Sequence, residues 1–201
     1  MRYVLASKSP RRSEILSNLG LRFEVVTADT DESSEERDPC VLVEELSRRK
    51  GEAVLQKLNG EGRDLRETVI ISSDTVVATE EGEILGKPRD EAEAVRMLKL
   101  LEGRTHRVVS GICLLGIERE GKTVCGVTHE VTRVEFDRMD EAAILRYVRA
   151  TNPYDKAGAY AIQGMASAWI KGIHGCYFNV VGLPVHRLNC LYREIFKENL
   201  L

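Results

Sequence analysis

The stretch TVIISSDTVVATE, which begins at Thr68, limits the fold more than any other part of the chain. It is dominated by β-branched residues and contains neither glycine nor proline, so it reads as one long strand. Asp74 stands in its middle. Side chains alternate along a strand, which places Asp74 on one face with Ile70, Ser72, Val76 and Ala78. An unpaired carboxylate on such a face costs several kcal/mol. Either Asp74 lies at a solvated edge or a bulge, or it has a task and a partner.

Helical and strand-like segments surround this run. Residues 2–5 read as a strand. ASKSPRRSEILSNLG then gives a loop and a helix, with Ser9 as its cap, Pro10 at its first position and Gly20 as its stop. LRFEVV (21–26) is a second strand, and an acidic loop runs from Asp29 to Asp38. A helix opens at Asp38-Pro39 and runs to about Leu58, with Gly51 a weak point inside it. Asp90 and Glu93 mark a capping box for a helix that ends near Gly103. Two strands flank the turn REGK, and a helix spans Asp140 to the residue before Asn152-Pro153. DKAGAYAIQG is a glycine-punctuated loop, ASAWIKGI and FNVV are short β segments, and a last helix starts near Pro184. Early alternation followed by antiparallel pairs predicts an α/β fold with a mixed sheet. Ligands in such folds occupy clefts at the carboxyl ends of strands.

Composition narrows the class. With 201 residues, 43% apolar and 30% charged, the chain supports one domain over 1–201 with a real core. A net charge of −3 argues against a dedicated nucleic-acid partner. No apolar run approaches the ~20 residues of a membrane span, and nothing near the N-terminus resembles a signal peptide, so the expected location is cytoplasmic. The five cysteines are odd in number and include no CxxC, which predicts free thiols, and the four histidines lack zinc spacing.

Several polar residues fit a structural role poorly. Arg11 and Arg12 stand in the first turn of a helix, where the dipole disfavours cations. Lys50 falls on the apolar stripe Val43, Leu46, Val54 and Leu58, either snorkelling to solvent or aimed into a cleft. Glu32 sits in TDES, Lys87 is set between Gly86 and Pro88, and Asp155, Lys156 and Gln163 lie on the loop DKAGAYAIQG. A cationic set (Arg11, Arg12, Lys50, Lys87) beside an acidic set (Glu32, Asp74, Asp155) suits a polyphosphate with a divalent metal and a carboxylate base. SKSPRRS is not a P-loop.

In this order, LASKSPRRSEILSNLG, DTDES, SSDTVV, ILGKP, LEGRTHRVVSG, DKAGAYAIQG and FNVVGLP resemble the Maf family of nucleoside triphosphate pyrophosphatases from Leu5 to Pro184. The resemblance implies a mixed-sheet, two-lobed α/β fold with a central cleft, similar to inosine triphosphate pyrophosphatases. It also implies a homodimer, a divalent cofactor (Mg²⁺ or Mn²⁺), and cleavage of a nucleoside triphosphate to a monophosphate and pyrophosphate. On that pattern Asp74 is the proton acceptor, and Glu32 with Asp74 are the metal ligands. Ser7, Ser9, Arg12, Lys50 and Lys87 bind phosphate, and Asp155 and Lys156 are further candidates. Arg11, Thr75 and Gln163 match the branch acting on dTTP and UTP rather than the one acting on 7-methyl-GTP. Two departures are Ser110, which on this reading does not touch the chemistry, and Phe178, which would alter the cleft wall. The competing class is a non-enzymatic nucleotide-binding regulator of cell division, which needs the cations but not Asp74.

Overall fold

The computed structural model describes residues 1–201. The strands are β1 (Arg2–Leu5), β2 (Phe23–Val25), β3 (Thr68–Thr79), β4 (Ile84–Leu85), β5 (Thr105–Ile117), β6 (Thr123–Phe136) and β7 (Ile170–His174). The helices are α1 (Pro10–Asn18), α2 (Pro39–Gly60), α3 (Glu91–Leu101), α4 (Glu141–Thr151), α5 (Tyr177–Val181) and α6 (Val185–Phe196). Short 3₁₀ turns cover Ala157–Ala159 and Met165–Trp169.

All strands belong to one mixed sheet in the order β2-β1-β3-β5-β6-β7, with β4 on β3. β1 runs parallel to β2 and β3; the other pairs are antiparallel. The long run 68–79 is indeed one strand, and it pairs with β5 without a bulge from Thr68↔Ile117 to Thr79↔His106. Both of its faces are covered, which explains why it reads as continuously apolar.

The even-numbered residues of β3 face α2. Ile70 packs with Val54 and Leu58, and Val76 with Val43 and Leu46. The odd-numbered residues face two different groups of helices. Val69 and Ile71 join Ile15, Leu16 and Leu188 of α1 and α6, whereas Val77 joins Met97, Leu98 and Tyr147 of α3 and α4. These two cores are the two lobes, and the long strands run through both.

Helix α2 lies flush on the sheet because two glycines admit it. A Cβ at Gly111 of β5 would stand 2.1 Å from the Val43 carbonyl oxygen, and one at Gly51 would stand 2.9 Å from Ser72 Oγ. Ser72 Oγ also donates to the Ser47 carbonyl at 2.7 Å. Gly111 is the point of closest approach, and Gly51 is a second close contact, not merely a weak position in a helix.

Three local expectations are corrected. FNVV is helical, within α5, and not a strand. Leu183 N–H and Gly182 N–H both return to the Phe178 carbonyl, with Gly182 at φ +123°, and the buried Asn179 amide donates to Val108 O and Thr132 Oγ1. These tertiary bonds override a β-type composition. Ser9 does occupy the cap position of α1, but its side chain makes no cap bond. ASAWIKGI divides into a 3₁₀ turn and β7.

Candidate active site

β1 pairs with β3 only as far as Leu5↔Ile71, and β4 first meets β3 at Val77↔Leu85. Between those points the edge of β3 carries no strand. A cleft of 430 Å³ opens over this gap, bounded by the β1–α1 loop, the acidic loop, α2 and the 155–163 segment. It lies between the two lobes, as the two-lobed reading requires.

Asp74 lies within the gap and is 8% exposed. Its register partner is Gly111, so no neighbouring side chain covers it from β5. Lys50 crosses from α2 to meet it, Nζ to Oδ1 at 2.5 Å, and the same ammonium lies 2.9 Å from Glu32 Oε1. Both early puzzles thus share one answer: the carboxylate and the ammonium that interrupt two apolar stripes are each other's partner. For Glu32, partial burial would raise the carboxyl pKa. The hydrogen bond from Lys50 and the charges of Lys50, Lys87 and Arg12 outweigh that and hold it below the usual carboxylate range.

The two arginines of α1 separate cleanly. Arg12 donates from Nε to Gly182 O at 2.8 Å, from Nη1 to Ser73 O at 2.7 Å and Ser7 Oγ at 3.2 Å, and from Nη2 to Thr75 Oγ1 at 3.0 Å. Four of its five N–H groups are thereby spent inside the protein. Burial lowers its pKa, against the raising effect of Asp74, and an arginine remains charged there. Arg11 lines the cleft and has no ion-pair partner, and the same holds for Lys87 and for Lys8. Lys8 stands inside SKSPRRS, and its position beside the two arginines is its only signal in the sequence.

The remaining candidates divide into two groups. Ser7 accepts from Ser9 N–H at 3.2 Å and shapes the loop. The Ser9 hydroxyl, uncommitted to capping, lies on the cleft. Asp155 and Lys156 pair with each other on the cleft wall; burial raises the Asp155 pKa, but the hydrogen bond and charge of Lys156, a backbone hydrogen bond and the charge of Arg11 together lower it. Gly158 N–H donates to Gly86 O at 3.0 Å, which ties this wall to the turn carrying Lys87. Gly158 must be glycine, since its φ is +65° and a Cβ would stand 2.8 Å from Val77.

Thr75 faces away from Asp74, on the opposite side of the sheet. Its hydroxyl bonds Ser110 Oγ at 2.8 Å and accepts from Arg12. Ser110 therefore does touch the proposed machinery, because it anchors Thr75 and donates to Asn179 O. Phe178 does not line the cleft; it is exposed beside Tyr177. Gln163 is exposed and lines the same cleft as Val77, Val108, Val180 and Tyr160, with no protein partner for its amide. Tyr160, which carries no signal of its own in the sequence, also lines the cleft. It is held by His106 Nε2 at 2.7 Å and stands edge-on to Phe136.

Six cations (Lys8, Arg11, Arg12, Lys50, Lys87, Lys156) face four carboxylates (Asp29, Glu32, Asp74, Asp155) around this cleft, in a chain of net charge −3. The cleft concentrates positive charge that the molecule as a whole lacks. Glu32 and Asp74 are hard oxygen donors of the kind Mg²⁺ or Mn²⁺ takes, and no third carboxylate, histidine or cysteine joins them in a cluster. That donor set fits a divalent ion that shares phosphate oxygens with a ligand.

The fold and the site define a class: a mixed α/β protein with an interlobe cleft for a polyanion and a nearly buried carboxylate at its floor. The chain belongs to the Maf-like protein family, whose model matches residues 2–195. It is 46% identical over 197 residues to the dTTP/UTP pyrophosphatase of Carboxydothermus hydrogenoformans, with 97% of each chain covered. It is 44% identical over 200 residues to the dTTP/UTP pyrophosphatase of Agathobacter rectalis, with 96% of each covered. Among solved structures, a nucleoside-triphosphatase (dITP/XTP pyrophosphatase) from Mycobacterium abscessus aligns over 96% of this chain and 94% of its own, at 16% identity and a TM-score of 0.46. No helix is long and apolar enough to cross a membrane.

Proposed function

We propose that residues 1–201 act as one domain that hydrolyses dTTP and UTP to the monophosphate and pyrophosphate. The observation that carries this reading is the cationic cleft with Asp74 at its floor, in a chain of opposite net charge. The relatives, both dTTP/UTP pyrophosphatases, supply the substrate class.

In this reading Arg11, Lys87 and Lys8, which hold no protein carboxylate, receive the triphosphate oxygens. Arg12 contributes the one N–H left to it and holds the loop around Ser7. Ser7 and Ser9 frame the phosphate end. Lys50 pairs with Asp74 and orients its carboxylate, and Asp74 accepts the proton of a water whose oxygen bonds the α-phosphorus. The bond from that phosphorus to the bridging oxygen breaks, and pyrophosphate leaves with the electron pair. Glu32 and Asp74 would hold a divalent ion, Mg²⁺ or Mn²⁺, which when bound neutralises phosphate charge. At the other end of the cleft the Gln163 amide, which both donates and accepts, reads the pyrimidine edge, and Thr75 sets the shape behind it. Asp155 and Lys156 stiffen the wall between the two ends. On the resemblance alone we also propose a homodimer, which sedimentation velocity tests directly.

The decisive measurement is pyrophosphate release from a panel of nucleoside triphosphates with Mg²⁺ or Mn²⁺, in parallel with Asp74→Asn. The reading requires release from dTTP and UTP above the others, and a loss of at least ~100-fold in turnover for the variant with its fold intact. Release from none of them identifies a nucleotide-binding regulator, and a preference for 7-methyl-GTP identifies the other branch.

A further inference from the structure

The five cysteines contain one close pair that no spacing in the sequence announces. Cys113 of β5 and Cys125 of β6 lie diagonally across the ladder, since Cys113 faces Val127 and Cys125 faces Leu115. Their side chains share the face beneath α2, with Sγ atoms 3.9 Å apart. One thiol is open and the other closed: Cys125 is exposed and Cys113 is buried. No such thiol contact joins Cys40, Cys176 or Cys190.

We propose that Cys113 and Cys125 form a dithiol site that low-molecular-weight disulfides oxidise to a cross-strand disulfide. The proposed nucleotide chemistry does not use these residues, so the inference stands apart from it. The exposed Cys125 thiol attacks one sulfur of the small disulfide RSSR. A bond forms from Cys125 Sγ to that sulfur, the S–S bond of the reagent breaks, and one RSH leaves with the Cys125 proton. Cys113 then attacks Cys125 Sγ, the second RSH leaves with the Cys113 proton, and the Cys113–Cys125 bond is complete. The protein gives up two electrons and RSSR accepts them.

The surroundings divide the roles in the same way. The Cys125 thiol is pushed down to about 7, chiefly by the hydrogen bond with Cys113 and next, after an opposing burial effect, by the charge of Arg48. That leaves a substantial thiolate fraction near neutral pH. The Cys113 thiol is pushed up by that same hydrogen bond and by burial. Once Cys125 is a mixed disulfide, the thiolate that retains the Cys113 proton is gone. Reaching an S–S distance of about 2.05 Å from 3.9 Å takes side-chain rotation and a small closure of the two strands. Across α2 the pair adjoins the glycine contact already described, since a Cβ at Gly51 would stand 3.7 Å from Cys113 Sγ.

The test is to incubate the reduced full-length protein with oxidised glutathione near neutral pH, alkylate, and read intact mass and linked peptides. The expected product has lost two hydrogens and yields a Cys113–Cys125 peptide. Cys125→Ser abolishes it, Cys190→Ser leaves it unchanged, and Cys113→Ala halts at the glutathione adduct on Cys125. A stable glutathione adduct on Cys125 of the unsubstituted protein, a linked peptide through another cysteine, or no reaction at Cys125 overturns the proposal.

Discussion

Gly51 of α2 faces Ser72 of β3 so closely that a Cβ on the glycine would stand 2.9 Å from the serine hydroxyl. Lys50 immediately precedes Gly51 in the helix, and its ammonium reaches Asp74 on the same face of β3, two positions beyond Ser72. The closeness of one pair sets the reach of the other. Alanine at 51 gains ~0.5–1 kcal/mol of helix propensity, but overpacking at this contact costs about 1–3 kcal/mol. Gly51→Ala is expected to lose stability in urea denaturation and to lower turnover, with Ser72→Ala recovering part of both. A more stable Gly51→Ala protein with full activity would show that the contact has slack.

Arg11 and Arg12 are expected to part ways in experiment. Arg12→Ala removes four donors and leaves the Ser73 and Gly182 carbonyls without them, a loss of about 2–4 kcal/mol in unfolding free energy. Arg11→Ala should change stability by less than ~0.5 kcal/mol while reducing the rise in melting temperature that pyrophosphate or dTTP induces. Equal stability losses for the two variants would contradict the division of labour seen in the structure.

Stability should depend on His106. Burial pushes its imidazole pKa down to about 4 from an ordinary value of 6.5. Between those values the unfolded chain binds the proton and the folded one does not, so stability rises with pH across that window. The full effect amounts to about 3 kcal/mol, lost progressively as pH falls from 6.5 through 4. Urea denaturation at a series of pH values in this range reads it. His106→Gln should flatten the dependence, and an unchanged slope would assign the acid sensitivity to other groups.

Gln163 presents an amide free of protein partners to the cleft. Gln163→Glu removes its donors and adds a negative charge, so the ratio of kcat/KM for dTTP and UTP against purine triphosphates should fall at least ~10-fold. The melting temperature should stay within a degree or two, given the exposure of this side chain. An unchanged substrate ratio would move base selection to Thr75 or to the wall at Tyr160.

Some of this was legible in the order of residues, and the reasons are local. The face assignment of β3 followed from alternation alone, and the stripe around Lys50 followed from helical spacing. That the two anomalies meet required only that α2 cover the even face. The role of Arg12 was not legible, because its strongest acceptors are the backbone carbonyls of Ser73 and Gly182, which have no residue-type signature. The helical form of FNVV was hidden for a similar reason: Asn179 is held by β5 and β6 rather than by its neighbours. Ser110 seemed incidental until the β3–β5 register placed it opposite Thr75. The Cys113–Cys125 proximity likewise depends on the register of β5 against β6.

The uncovered edge of β3 has a consequence for how this molecule tolerates change. Its length is set by where β1 stops and β4 starts, about five residues or ~17 Å of extended chain. A ligand there meets main-chain groups as well as side chains, and main-chain groups survive every substitution. Side-chain replacements along the cleft can therefore retune which molecule is accepted while the aperture keeps its span. Insertions or deletions in the segment joining β3 to β4 would act differently, sliding one jamb of the doorway along the strand and changing how long a guest it admits.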